Sequence, residues 1–253
     1  MILVLSGTSD GRAIVDMLLN KNYNVMVTTA TDYGGLLMEP NKNLKILSKR
    51  LTLDEMEDLI RTENIRRVID ATHPYAAVVS KNAMEVCERT NVPYLRYERK
   101  TTQLDVNQKI YYCKDYDDVI DRLKQLEGNV LLTTGSKELD KFKNVNFKSR
   151  LFARVLPVVD SLEKCFDIDL LPKQIIAMQG PFSKALNKAI IQQHNIQILV
   201  TKDSSKAGGF MDKVESSLEM NCYVLIIERP RIEYRNVTHD LIALENMLNE
   251  LEI

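Results

Sequence analysis

An α/β fold of two open parallel-sheet domains facing a cleft is what this sequence of 253 residues predicts, on three observations. Short apolar runs alternate with longer helical patterns through both halves, the signature of parallel strands joined by crossover helices. Polar loops rich in glycine or proline follow the apolar runs again and again, and in a parallel sheet such loops gather at one edge. The alternation loosens once, through TTQLDVNQ, which places a boundary near 98–108 between domains 1–100 and 101–253.

Met1 to Leu5 reads as a buried strand. Ser6 to Arg12 is a turn, and Ala13, Ile14, Met17 and Leu18 recur at helical spacing after it. Ser9 or Asp10 is the expected cap of that helix. Tyr23 to Thr29 is β-prone, Asp32 to Gly35 a turn, and Leu44 to Leu47 a short strand. Asp54 to Arg61 has Leu53, Met56, Leu59 and Ile60 on its inner side. The central block runs from Val68 to Lys100: a strand ending in Asp70, the turn Ala71-Thr72-His73-Pro74, a helix from about Tyr75 to Arg89, and a strand beginning at Pro93. Pro74 suits a first helical turn, where its missing N–H has no intrahelical partner.

Beyond the boundary, Lys109 to Cys113 is a strand and Tyr116 to Leu126 a helix. Val130 to Leu132 leads into Thr133-Thr134-Gly135-Ser136-Lys137, and Ser149 to Leu156 is strand-like up to Pro157. A short helix at 161–166, a strand at 174–178 and a helix at 183–192 follow. Ile196 to Thr201 is the next strand, then the loop KDSSKAGG, a helix at 211–220, a strand at 223–227 and a closing helix at 240–251.

The 34 basic and 35 acidic side chains leave a formal charge of -1, which argues against a general nucleic-acid binder. Cys87, Cys113, Cys165 and Cys222 are scattered and read as reduced thiols, not as a disulfide or zinc framework. The opening MILVLSG is too short for a signal peptide and no apolar run is long enough to span a bilayer, so the expected location is cytoplasmic, away from membranes.

Gly7-Thr8-Ser9-Asp10-Gly11-Arg12 closes the first strand and opens the first helix. Two glycines let backbone approach a ligand, and free helix amides hold phosphate. The full G-x-G-x-x-G fingerprint is absent, so a turn needed only for strand–helix passage stands beside the nucleotide reading. Arg12 in the first turn favours the nucleotide, because the helix dipole disfavours a cation there unless an anion is near. An NAD-selecting carboxylate belongs just after the second strand, where Thr28, Thr29 and Ala30 stand, with Asp32 somewhat late. Lys49 and Arg50 offer charge for a 2′-phosphate, so NADH and NADPH both stay open, with the lean to reduced NAD.

Three loops of the second half, at 133–137, 178–183 and 201–209, carry Lys137, Lys202 and Lys206, with Lys184 just beyond the second. Arg96, Arg99 and Arg154 lie in neighbouring segments. In a neutral protein this clustering suggests a pocket for an anionic ligand. His73 has three open roles: proton donor, ligand contact, or a helix-start residue bonded through its ring. Asp70 and Asp203 fit either a general acid or the bracing of a loop. No metal-binding cluster, Walker lysine loop or G-x-S-x-G elbow is present.

Together these segments resemble the precorrin-6A reductase family of corrin-ring biosynthesis. The resemblance rests on GTSDGR at 7–12, DATHPYAAVVSKNAMEVC at 70–87, VPYLRYER at 92–99, LLTTGSK at 131–137, ARVLP at 153–157, AMQGPFSKALN at 177–187, LVTKDSSKAGG at 199–209 and IERP at 227–230. It implies two Rossmann-like or flavodoxin-like domains. It also implies an oxidoreductase that reduces one double bond of precorrin-6A, or of its cobalt form, with NADH or NADPH, and then hands the product to neighbouring enzymes of cobalamin biosynthesis. The family's first loop is usually GGT-x-EGR, and a glycine usually stands where this chain has Lys49.

By resemblance, Gly7, Thr8, Asp10, Gly11, Arg12, Arg50 and His73 look like cofactor-side residues, and the expected cofactor site adds Ser9 and Thr29 beside them and Thr134, Gly135 and Ser136 from the second domain. Arg96, Lys137, Gln179, Ser183, Lys202, Gly208 and Gly209 belong to the substrate site, and His73 and Asp203 are the candidate acids. A polycarboxylate macrocycle would explain the cationic loops. Two alternatives differ in kind. A short-chain dehydrogenase would need Tyr-x-x-x-Lys, but Tyr75 is followed four residues on by Val79 and Tyr94 by Glu98. A non-catalytic binding module for a nucleotide or other anionic ligand would bind a dinucleotide without oxidising it.

Overall fold

The structure, a computed structural model, describes residues 1–29, 34–35, 37–99, 104, 107–203 and 209–250. The chain divides into two compact units, Met1–Lys100 with Pro230–Ile253, and Thr101–Arg229.

The first unit holds strands β1 (Ile2–Leu5), β2 (Val25–Thr29), β3 (Leu44–Ser48), β4 (Arg67–Asp70), β5 (Tyr94–Tyr97) and β12 (Val237–Thr238). They form one parallel sheet in the order β3-β2-β1-β4-β5-β12. Helices α1 (Ser9–Asn20), α2 (Leu53–Thr62) and α3 (Ala77–Thr90) make the crossovers. Alternation along the strands divides the core between the two sheet faces. Ile2, Val4, Val25 and Val27 pack with Ile14 and Leu18 of α1, while Leu3, Leu5, Met26 and Val68 pack with Met56, Ile60, Ala83 and Val86 of α2 and α3. With both faces covered, the central strands read as unbroken apolar runs, which is why they are visible in the sequence.

The closing segment departs from the expected domain assignment of 101–253. Helix α8 (Leu241–Glu250) packs Leu244 and Leu248 into the first unit's core, and Arg67 Nη1 donates to the Leu248 carbonyl at 2.8 Å. Strand β12 pairs with β5, and Arg96 N donates to Asn236 O at 2.9 Å. An amphipathic helix shows which face is apolar but not which sheet it will cover.

The second unit holds β6 (Ile110–Cys113), β7 (Asn129–Leu132), β8 (Leu151–Val155), β9 (Ile175–Ala177), β10 (Ile196–Lys202) and β11 (Tyr223–Ile227). Their order is β6-β11-β10-β7-β8-β9, again parallel throughout. Helices α4 (Tyr116–Gln125), α5 (Val159–Phe166), α6 (Lys184–Gln193) and α7 (Phe210–Glu219) flank it. Ile190, Ile191, Phe210 and Val214 close one face against Leu131, Leu199, Val224 and Ile226.

Two local expectations fail at helix starts. Helix α1 is capped by Thr8, whose Oγ1 accepts from Gly11 N at 3.0 Å, and not by Ser9 or Asp10. The helix after His73 begins at Ala77, leaving Pro74 in the turn before it, where Ala76 N donates to His73 O at 2.7 Å. The residues from His73 to Ala76 are thereby freed from helical geometry and form a loop.

Candidate active site

In the first sheet β1 and β4 are neighbours, and the chain leaves them toward opposite edges. At such a reversal the loops beyond the strand ends part and leave a crevice where α/β proteins hold ligands. Here those loops are Ser6–Thr8 and Ala71–Ala76, and Thr8 joins them: its Oγ1 donates to Ala71 O at 3.1 Å while capping α1.

Asp70, at the end of β4, anchors the second loop from below. Its Oδ1 accepts from Thr72 N at 3.0 Å, Thr72 Oγ1 at 2.6 Å and Arg96 Nη1 at 2.7 Å, and its Oδ2 accepts from Tyr94 OH at 2.7 Å. Burial, with Asp70 adding to it, pushes the Tyr94 hydroxyl far up, so it stays a donor. Arg96 also donates to Thr72 Oγ1 at 3.0 Å, and Tyr234 lies 4.7 Å from its guanidinium. Arg96 is fully buried, so the expectation that it meets substrate is corrected: its charge answers Asp70 and Glu98. The sequence places a cation on a strand but not the carboxylate across from it.

The remaining cofactor candidates divide. Gly7 is exposed at φ 150, and a Cβ there would meet nothing within 4 Å, so its backbone is open to a ligand. A Cβ on Gly11 would stand 2.2 Å from Ser6 Oγ, so this glycine serves the close passage of helix against strand end. Asp10 is held by Arg99, and Ser9 is exposed beside it. Arg12 is half-buried with no ion pair among the described residues. Thr29 is buried, 3.4 Å from Ser48 Oγ across the β2–β3 edge. Arg50 is exposed two residues beyond Ser48, while Lys49 is engaged by Glu55 at 2.5 Å. Asp32 lies outside the described residues. His73 is half-buried, its Nδ1 accepts from Tyr75 N at a long 3.4 Å, and the two rings lie 5.5 Å apart. With Nδ1 accepting, a neutral ring carries its proton on Nε2.

In the second sheet the reversal falls between β7 and β10, paired through Leu132 and Val200, so the chain leaves the two strands, at Thr133 and at Asp203, on the same edge. Thr133 donates to Val200 O through both N and Oγ1 at 2.9 Å, closing the strand ends together. Thr134 Oγ1 is buried without a hydrogen bond of good geometry, and so is the Tyr116 hydroxyl, which burial pushes up to about 12. Gly135, at φ 80, has open space around a would-be Cβ. Ser136 Oγ lies 3.0 Å from Ser161 Oγ.

Lys137 is exposed at this edge, and Lys202 is half-buried with Nζ 5.6 Å from the Tyr116 ring. Burial draws the Lys202 pKa down, against the pull of Glu138 and with the repulsion of Lys137. Asp203 is buried and paired with Arg229, whose Nε lies 3.3 Å from both Asp203 Oδ2 and its backbone oxygen. Gln179 is exposed, Ser183 caps α6 by accepting from Leu186 N at 3.3 Å, and Gly209, at φ 63, precedes α7. Gly208 and Lys206 lie outside the described residues.

The first unit thus brings Gly7, Thr8 and His73 to one strand edge, and the second brings Thr134 to Lys137 together with Lys202 and Asp203. Arg229 and Arg99, each locking a candidate carboxylate, are partners that spacing alone does not reveal.

The family described as "Precorrin-6x reductase CbiJ/CobK" matches residues 1–250. The chain is 38% identical to a cobalt-precorrin-6A reductase of Methanocaldococcus jannaschii, over 100% of this chain and 99% of that protein. It is 37% identical to one of Priestia megaterium, over 94% and 93%. A precorrin-6A reductase of Rhodococcus erythropolis is 26% identical over 96% and 94%. Among solved structures, "CobK precorrin-6A reductase" shares the fold with a TM-score of 0.80 at 21% identity, covering 98% of this chain and 96% of that one.

Proposed function

The chain belongs to the precorrin-6x reductase family, and from that premise we propose how its residues share the reaction and which forms of substrate and cofactor it takes. The activity is reduction of a ring double bond of precorrin-6A, or its cobalt form, by an enzyme using a nicotinamide cofactor, a step of cobalamin biosynthesis. The observation that carries this reading is the match along residues 1–250. The cobalt-containing macrocycle is the proposed substrate, because relatives named for it reach 37–38% identity, against 26% for one named for the metal-free compound.

The first unit is assigned to the cofactor. Gly7 offers open backbone at the start of α1, where helix amides and the dipole favour a pyrophosphate. Thr8 holds that loop to Ala71, so the His73 loop keeps its position relative to it. Reduced NAD is the proposed form: of the two cations the sequence offers for a 2′-phosphate, Lys49 and Arg50, the first is already engaged by Glu55. When bound, the reduced nicotinamide supplies the hydride.

The second unit is assigned to the substrate. Lys137 and Lys202 answer carboxylates of the macrocycle, while Arg229 fixes Asp203 at the base of the loop. The proton that accompanies the hydride comes from water or from the macrocycle itself. Asp203 is engaged by Arg229, and the His73 ring receives the Tyr75 amide, so both side chains have positioning work.

Turnover of the cobalt and metal-free substrates with NADH and NADPH tests the assignment. His73→Ala and Asp203→Asn should each lose less than the roughly hundredfold that marks a general acid. A larger loss in kcat for either, with the pH–rate limb tracking that residue, would name the acid and overturn the water reading.

A further inference from the structure

Two cations of the second unit are buried with no carboxylate to answer them among the described residues. Arg154, on β8, is 6% exposed; its Nη1 donates to Asn187 Oδ1 on α6 at 2.8 Å, and its guanidinium lies 4.0 Å from the Phe182 ring centroid. Lys213, in the first turns of α7, is 8% exposed, and its Nζ has no hydrogen-bond or ion-pair partner among the described residues. The two side chains are electrostatic neighbours: burial first, and then the Arg154 charge, lower the Lys213 pKa to about 8. Burial alone lowers Arg154 to about 10.

Their place in the fold is the strand edge where the loops gather. Arg154 is the penultimate residue of β8 and registers with Ile176 of β9. Phe182 belongs to the loop leaving β9, and Lys213 N donates to Gly209 O at the head of α7. The two loops touch there, since a Cβ on Gly209 would stand 3.9 Å from Phe182 O. Helix α7 has no side-chain cap, so its first amides and its dipole add positive potential beside Lys213. Asn187 is neutral and its own amide is spent on Phe182 O at 3.3 Å and Ser183 O at 3.0 Å, so it orients Arg154 without cancelling its charge.

A bracing role explains Arg154 on Phe182, and packing of its stem explains part of Lys213. Neither explains a second cation set beside the first, because buried like charges are costly unless an anion joins them. We propose that Arg154 and Lys213 form a buried anion subsite that takes one carboxylate side chain of the macrocyclic substrate. The inference rests on the reductase reading for the identity of the carboxylate, and on the protein's own geometry for the anion.

Two measurements test it on the full chain. Wild type should gain thermal stability with succinate over chloride at matched ionic strength, and Lys213→Met, which fills the same volume without charge, should lose that gain. The same variant should raise the macrocycle KM by about tenfold or more while cofactor affinity stays at the wild-type value. An unchanged KM in a folded Lys213→Met overturns the proposal, and a surviving succinate response then marks a site for free anions only. If the variant fails to fold, the wild-type titration decides, and absence of any succinate effect sinks the subsite. Wild type that responds to succinate but never turns over the macrocycle refutes the reductase reading and leaves the anion subsite standing.

Discussion

Arg96 Nη1 and Asp70 Oδ1 meet at 2.7 Å with neither side chain exposed to solvent. The pair spans adjacent strands β5 and β4, directly in register, and Thr72 and Tyr94 complete the carboxylate's partners. Its effect is mechanical: the His73 loop leaves the sheet from an anchored first residue instead of a frayed strand end.

Asp70→Asn should therefore destabilise the protein by about 3–5 kcal/mol, because it removes the charge held closest to the buried Arg96 and leaves Glu98, at 3.3 Å from Nε, as its carboxylate partner. Urea unfolding followed by circular dichroism measures this. A change under about 1 kcal/mol would mean the pair is not held as described.

Gly11→Ala should cost about 1–3 kcal/mol through overpacking against Ser6. Ser6→Gly in the same chain should recover part of it, since Ser6 Oγ and Cβ are the two nearest atoms met. No recovery in the double variant would remove the steric account and return Gly11 to the cofactor's direct contacts.

Lys213 predicts a pH signature. Its folded pKa is lowered to about 8 from 10.5, so between those values the unfolded chain binds more protons and stability rises with pH. The penalty below the folded pKa is about 3 kcal/mol at 1.36 kcal/mol per unit. The charged group that faces it is Arg154, and no carboxylate contributes. The difference in unfolding free energy between wild type and Lys213→Met should narrow in the wild type's favour from pH 8 to about 10.5, and a flat difference would refute a charged, buried Lys213.

Lys202→Met should raise the substrate KM by about tenfold or more, the value of one charge-assisted contact, and leave cofactor affinity unchanged. Steady-state kinetics beside a cofactor titration separates the two. Equal weakening of both would reverse the roles given to the two units.

The sequence by itself determined the two parallel sheets and the polar loops that leave their strand ends. Strands covered on both faces must be apolar throughout, and loops with glycines and hydroxyls stand out between them, so Gly7, His73, Thr134 and Lys202 are legible from local pattern. Pairings across the sheet were decided only by the tertiary structure. Arg96 looks like a substrate contact until β5 sets it beside Asp70, and Asp203 shows no partner in the sequence until Arg229 returns from the far end of β11. Gly11 reads as a phosphate glycine until Ser6 is seen beneath it. The closing helix shows an apolar face in the sequence, yet only folding chooses the first unit's sheet for it. Local periodicity fixes which way a side chain faces, whereas its partner lies tens of residues away and is fixed by strand order, which no short window of sequence encodes.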